Sequence, residues 1–398
     1  MDPRRNPYAP GAGTPPPELA GRDDLIERIA IALDRIKAGR AARSFVMYGL
    51  RGVGKTVLLN KVRLDAQANG IHAITIEAPE SRSLPAAMAP ALRAALIRLS
   101  RTEAAKEYGA KALRALGGFI NALKVKFDDI ELGMALPTES GLADSGDLDH
   151  DMSELMLAIG QAAKEQNTAV VLFIDELQHV PEAQLASLIM ALHAASQSQL
   201  PITMVGAGLP QLLGQMGDAK SYAERLFEFV HVDKLDRANA EAAVTVPAAR
   251  ENVEFKPAAL EEIISKTSGY PYFLQEWGKH AWDAADASPI GHIDACEATA
   301  RALAELDASF FRVRLDRLTG AEKNYIRAMA ELGPGPHRSG DIAACLGRRV
   351  ESVAPTRSSL IRKGMIYAPN HGDTAFTVPL FDEYMRRAMP DFSRAPAP

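Results

Sequence analysis

The sequence predicts an α/β protein built on a parallel sheet. Two observations carry that prediction. Five strand-length apolar runs alternate with helical patterns over the first 235 residues, and such alternation requires crossover connections. A glycine-rich turn, "GLRGVGKT" (Gly49 to Thr56), also lies between the first strand pattern and the helix that follows.

The elements follow in order. Residues 1–18 are rich in Pro, Gly and Ala without periodicity and read as an irregular or extended arm. "LAGRDDLIERIAIALDRIKAG" turns helical, with Leu25, Ile29, Ala32, Leu33 and Ile36 on one face. "SFVMY" is the first strand, and the helix after the glycine turn ends near Asn69-Gly70; "IHAITIE" (71–77) is the second strand. Two helical patterns occupy 85–126, the second basic through Lys106, Lys111, Arg114, Lys124 and Lys126. An acidic stretch, "FDDIELGMALPTESGLADSGDLDHD", follows with eight carboxylates and no Lys or Arg. A helix from about 149 to 163, the strand "AVVLFID", the helix "PEAQLASLIMALHAAS", the strand "ITMVGAG" and a short strand "FVHVDKL" (229–235) complete the series.

Composition is that of an ordinary globular chain: 398 residues, 47% hydrophobic, 24% charged, net charge -5. Two to three domains are expected at that length. No run reaches the roughly 18–20 apolar residues of a membrane span, and the first 18 residues lack a signal-peptide core. A cytoplasmic protein with no membrane partner is the expectation. Cys296 and Cys345 stand 49 residues apart with no second pair and read as idle thiols.

"GLRGVGKT" fits G-x-x-x-x-G-K-[ST] in its strand–turn–helix context. Gly52 and Gly54 let successive N–H groups converge on phosphate oxygens at a helix N-terminus. Lys55 adds charge over the β- and γ-phosphates, and the Thr56 hydroxyl can ligate Mg²⁺. Gly49, Gly52, Val53, Gly54, Lys55, Thr56 and Val57 are thus the candidate nucleotide contacts, with Mg²⁺ an expected cofactor and ATP the nucleotide that the resemblance described below implies. In "FIDELQHV", Asp175 closes a buried strand, where an unpaired charge is costly, and so should face the Mg²⁺, with an N-cap for the helix that follows as the alternative. Glu176 reads as the general base for the attacking water, or as a solvated carboxylate in a first helical turn. "DSGDLDHD" (144–151) lacks EF-hand spacing and reads as a loop capping the next helix.

These motifs resemble the P-loop ATPases of the AAA+ superfamily and their STAND relatives, and more narrowly the ATPase domain of origin-recognition-type initiators. The resemblance rests on "LAGRDDLIE", "GLRGVGKT", "VVLFIDELQ", "GAGLPQL" and "SGYPYFLQE", covering about residues 18–285. It implies a three-layer αβα domain with sheet order 5-1-4-3-2 and a small helical lid. It also implies an arginine finger at Arg225, which acts on a neighbour's γ-phosphate and requires a homo-oligomer; a surface pair with Glu224 or Glu228 is the alternative. Pro271 in "GYP" resembles the lid motif that contacts nucleotide, or else simply starts a helix.

The sequence departs from the group twice. "GAGLPQL" offers only Gly and Ala where many relatives carry a polar γ-phosphate sensor. Lys55 and Asp175 are 120 residues apart, which points to inserted helices and an acidic loop at 85–150.

The expected organisation is an arm (1–18), an ATPase domain (19–235), a helical lid (236–310), a winged helix (318–390) and a disordered tail (391–398). The winged helix is read from "RSGDIAACLGRRVESVAPTRSSLIRKGMIY" and two strands about "NHGD". With Ser352 as N-cap, Pro355 would fall in the first turn of its second helix. Residues 318–398 hold 11 Lys and Arg against 8 Asp and Glu, a net +3. Arg348, Arg349, Arg357, Arg362 and Lys363 are the candidate contacts to double-stranded DNA. Two functions follow: an ATPase switch that positions a DNA-binding winged helix, or a nucleotide-gated protein-interaction scaffold with little turnover and no DNA binding. A small-molecule P-loop kinase explains neither Glu176 nor the C-terminal unit.

Overall fold

Five apolar runs form the central sheet in a computed structural model that describes residues 1–11, 13–78, 80, 82–100, 106–123 and 136–392. Strands β1 (Ser44–Tyr48), β2 (His72–Glu77), β3 (Val170–Asp175), β4 (Ile202–Gly208) and β5 (Phe227–His231) pair in parallel in the order β2-β3-β4-β1-β5. From the other edge this is 5-1-4-3-2, as the resemblance implies. The inner strands are buried on both faces, so they read as continuous apolar runs instead of alternations.

The fifth strand differs from the 229–235 reading. It begins at Phe227, and pairing stops because β1 has ended: the last bond to it runs from the Val232 N–H to the Tyr48 carbonyl (2.8 Å). The Leu235 N–H turns instead to Gly269 O (2.9 Å).

One face of the sheet carries α1 (Asp23–Lys37) and α2 (Lys55–Ala68). On α1 the buried residues are the five that the periodicity selects. The other face carries α3 (Leu84–Leu99), α4 (Lys106–Leu123), α5 (Leu148–Glu165), α6 (Glu182–Gln197), α7 (Leu212–Ala219) and α8 (Ala223–Leu226). The inserted helices α3 and α4 are part of this layer: Leu92, Leu96, Leu116 and Phe119 are buried in the same core as α5 and β3. Lys124, Lys126 and the acidic residues 127–135 lie outside the described residues. In the rest of the acidic stretch, Asp147 caps α5 by accepting from the His150 N–H (2.9 Å), and Asp151 accepts from the N–H groups of Ser145 and Gly146. These oxygens serve backbone donors, as a capping loop requires.

Beyond the sheet come α9 (Arg237–Arg250), α10 (Pro257–Thr267), α11 (Pro271–Ala284) and α12 (His292–Leu306). A wide turn of helix, Asp307–Phe311, leads into α13 (Arg312–Asp316). The last elements are α14 (Gly320–Leu332), β6 (His337–Arg338), α15 (Ser339–Cys345), α16 (Val350–Arg362), β7 (Ile366–Tyr367), β8 (Asp373–Phe376) and α17 (Phe381–Ala388). The three short strands make an antiparallel sheet, β6-β8-β7.

Helices α9–α12 and this C-terminal unit share one hydrophobic core. Phe311 joins them, with its ring 5.1 Å from Tyr384 and 6.5 Å from Phe273. Rings of this size contribute several kcal/mol each when buried, about 3–5 on truncation, so the two units are firmly attached.

Helix α16 corrects the cap assignment. Its N-cap is Arg349, Ser352 is its third residue and Pro355 lies inside it. The proline is tolerated because the carbonyl that loses its partner, on Glu351, belongs to an exposed residue that water can serve. The Ser352 hydroxyl and N–H both turn back to Arg349 O (2.7 and 3.1 Å), which starts the helix three residues early.

The N-terminal arm is irregular but tightly held. Tyr8 is buried against Gly278, where a Cβ would come within 2.7 Å of its ring. Asn6 donates to Lys279 O and Asp283, and Trp282 Nε1 donates to Asp2 O (2.9 Å). Residues 393–398 of the expected tail lie outside the described residues. Among the described residues, no helix is long and apolar enough to cross a membrane.

Candidate nucleotide site

The loop between β1 and α2 turns on two left-handed glycines, Gly52 (φ +83°) and Gly54 (φ +91°), the latter capping α2. Left-handed backbone penalises any side chain with a Cβ. Gly49 is required for another reason: a Cβ there would stand 2.0 Å from the Val232 carbonyl oxygen. It sits beneath the cavity rather than lining it, and its own carbonyl accepts from Lys55 Nζ (2.9 Å), as does that of Leu50 (2.8 Å). Burial lowers the Lys55 pKa to about 8, against the opposing pull of Glu176 and Asp175.

Across the loop, Asp175 ends β3. Burial raises its pKa, while hydrogen bonds from the Thr56 hydroxyl and the Glu176 N–H (2.8 Å) favour the charged form. Glu176 takes a left-handed backbone, φ +53°, at the exit of the strand. Its carboxylate accepts from Gln178 Nε2, and it faces Arg51 Nη1 and His179 Nε2, each at 3.7 Å.

Val53, Val57, Thr56, Asp175, Glu176 and Pro271 all line one cavity of about 640 Å³, a volume within the range of small-molecule sites. The arm forms part of its wall: a Cβ on Gly13 would lie 3.3 Å from the Thr56 methyl. The residues fit a nucleotide and its cation. The loop presents a helix N-terminus, the Lys55 ammonium bonds only neutral carbonyls, and a hydroxyl and a carboxylate adjoin each other as a hard divalent ion requires.

Three polar residues of the site were missed by sequence reasoning. Arg51 occupies a variable position of the loop motif, yet its N–H donates to Thr377 O of the C-terminal unit (3.0 Å). A Cβ on Gly364 (φ +63°) would stand 3.1 Å from its guanidinium. Gln178 sits in "DELQ": its Oε1 accepts from the Leu209 N–H (2.9 Å), just past β4. Gly208 therefore has no room for a polar side chain, since a Cβ would lie 2.9 Å from Gln178 Oε1. Arg314, on α13, also lines the cavity, with its guanidinium 3.8 Å over the Phe310 ring. Burial, with Arg51 nearby, lowers its pKa to about 10, and among the described residues it has no carboxylate partner. Only "DELQ", through its closeness to Glu176, offered a sequence signal; Arg314 had none.

Pro271 starts α11, and the next residue ties this helix to the loop: the Tyr272 N–H donates to Gly52 O (3.1 Å). Arg225 is exposed on α8, away from the cavity, and makes no ion pair among the described residues; Glu228 pairs with Arg28 instead. Of the five basic residues on and around α16, Arg348, Arg349, Arg362 and Lys363 are exposed. Arg357 is turned inward, donating to Thr374 Oγ1 (2.9 Å) and Asp373 O (2.8 Å). Lys363 donates to Glu322 (2.7 Å) and Arg317 O (3.1 Å).

Residues 18–205 match the family described as the AAA ATPase domain, and residues 308–385 match one described as a domain of unknown function. No curated protein matches the chain. Among solved structures, the chain is similar to the Walker-type ATPase PABY2304 of Pyrococcus abyssi, with a TM-score of 0.55 at 15% identity, covering 94% of this chain and 97% of that one. The Aeropyrum pernix ORC1 protein, solved in complex with DNA, gives 0.48 at 15% identity over 94% of each chain. The Thermotoga maritima RuvB Holliday junction branch migration motor gives 0.43 at 16% identity over 95% of this chain and 97% of that one. The first likeness is one of fold; the other two are weaker.

Proposed function

We propose, from the match of residues 18–205 to the AAA ATPase domain family, that the protein is a Mg²⁺-dependent ATPase whose nucleotide state controls how the C-terminal unit is held. One observation carries the reading: the nucleotide loop is hydrogen-bonded to both other parts of the chain. Arg51 N–H reaches Thr377 O, and Tyr272 N–H reaches Gly52 O. A phosphate that reshapes the loop would act on both bonds.

In this reading Lys55 and Arg314 place positive charge around the terminal phosphates, and Thr56 and Asp175 are the residues that would hold Mg²⁺. The ion, when bound, neutralises charge on the phosphate oxygens. Glu176 accepts a proton from water as the water oxygen bonds to the γ-phosphorus. The bond from that phosphorus to the β–γ bridging oxygen breaks, and ADP leaves with the electron pair. Gln178 links the base to the end of β4, where the polar sensor of related sequences is missing.

The C-terminal unit is read as a winged helix from its element order, and double-stranded DNA as its partner from exposed Arg348, Arg349 and Arg362. Exposed Arg225 beside edge strand β5 suits contact with a neighbour's γ-phosphate in a homo-oligomer formed in the ATP state.

The test is ATP hydrolysis with Mg²⁺, with and without duplex DNA. Glu176→Gln should keep ATP binding and lose about 10²–10⁴ in turnover, the usual contribution of a general base; normal turnover in that variant refutes the assignment. The inward commitment of Arg357 and Lys363 favours a second reading, a nucleotide-gated scaffold with little turnover. Absent DNA stimulation together with absent or salt-insensitive DNA binding would decide for it.

A further inference from the structure

Helix α11 carries Glu276 and His280 one turn apart, on one face. Glu305 approaches from α12, and one ligand atom from each of the three residues lies within 4.8 Å of the others. Glu276 and His280 are only 6% and 8% exposed. Glu276 Oε1 accepts from the Tyr272 hydroxyl (2.9 Å), but its Oε2 is buried with no hydrogen-bond partner, and so is His280 Nε2. The imidazole nitrogen stands 3.1 Å from Glu305 Oε2 without making a hydrogen bond to it. Folded proteins rarely leave two neighbouring buried polar atoms unserved.

We propose that Glu276, His280 and Glu305 form a binding site for a divalent transition-metal ion, with Zn²⁺ the ion of choice. One imidazole and two carboxylates suit zinc, with water in the fourth position. Mg²⁺ and Ca²⁺ favour oxygen donors alone. The His280 Nε2 has no hydrogen-bond partner, and a neutral imidazole nitrogen so placed presents its lone pair to an ion. The surrounding charges are Lys279, Glu305, Asp283 and Arg301. Lys279 Nζ reaches Glu305 (3.2 Å), so on metal binding Glu305 exchanges one cation for another.

The site is separate from Thr56 and Asp175 but linked to their loop. Tyr272 binds Glu276 through its hydroxyl and Gly52 through its N–H, and its ring stacks on Phe310 at 5.0 Å. An ion there would clamp α11 to α12 and fix the residue that ties α11 to the loop.

The experiment titrates Zn²⁺ alone into the chelator-stripped full chain without nucleotide, by calorimetry and by metal content after gel filtration. One equivalent should bind with high affinity and raise Tm. Glu305→Gln, at an exposed position that leaves the fold intact, should weaken that equivalent by about 100-fold or more, since losing an outer partner of a metal ligand already costs 10–100-fold. His280→Asn should do the same. Cys296→Ser must leave it unchanged, because Cys296 belongs to a second group with Glu262 and His292. The proposal fails if the stripped chain takes up no Zn²⁺, if Glu305→Gln binds like wild type, or if Cys296→Ser abolishes uptake.

Discussion

Lys55 offers a quantitative check on the nucleotide site. Its ammonium is buried beneath the loop, bonded only to two carbonyl oxygens, and burial lowers its pKa to about 8. A bound phosphate restores the pKa, because opposite charge favours the protonated form. The sign follows directly: above pH 8 the free protein has lost the proton that the complex holds, so binding takes up protons and affinity falls as pH rises. At pH 8 the free lysine is about half protonated, which gives an uptake of about 0.5 proton; at pH 9 the uptake is about 0.9. Affinity should therefore fall most steeply near pH 9, by roughly sevenfold per pH unit. Calorimetry of ADP binding in two buffers of different ionisation enthalpy measures the uptake, and ADP has finished its own phosphate titration there, with a last pKa of about 6 to 7. An uptake below about 0.1 proton at pH 8 would show that Lys55 is not desolvated as its surroundings require.

Three further outcomes are expected. Arg314→Ala should weaken ATP by about 1.5–3 kcal/mol, the worth of a hydrogen bond to a charged group, and leave ADP almost unchanged; equal losses for both nucleotides would place Arg314 away from the γ-phosphate. Glu322 is held at a pKa of about 2: burial pushes it up, but Lys363, the Thr319 N–H and the Ser359 hydroxyl outweigh burial. Its stabilisation is complete above pH 4.5 and vanishes toward pH 2, so Glu322→Gln should cost about 1.5–3 kcal/mol at neutral pH and flatten acid unfolding in that window; urea midpoints from pH 2 to 6 decide it. If duplex DNA binds, Arg348→Ala with Arg349→Ala should reduce the slope of log affinity against log salt by about 1.8, and an unchanged slope would remove these two from the interface.

Much of the fold was legible because the inner strands are buried on both faces and the helices on one. The β5 limits were not, since the strand stops where β1 stops, a property of the neighbour. The cap of α16 was misplaced for a related reason: an internal proline is tolerated only where the orphaned carbonyl meets water, and exposure is not written in the local sequence.

By itself, the sequence determined the parallel sheet, the phosphate loop and the two carboxylates at the end of β3. Each of these rests on contacts between residues close along the chain, or on burial that repeats with a fixed period. Tertiary structure alone decided that Arg314 enters the cavity from α13, that the arm walls it beside Thr56, and that Arg51 donates to Thr377. These partners are brought together by packing across one shared core, and no spacing within a segment reports such a meeting.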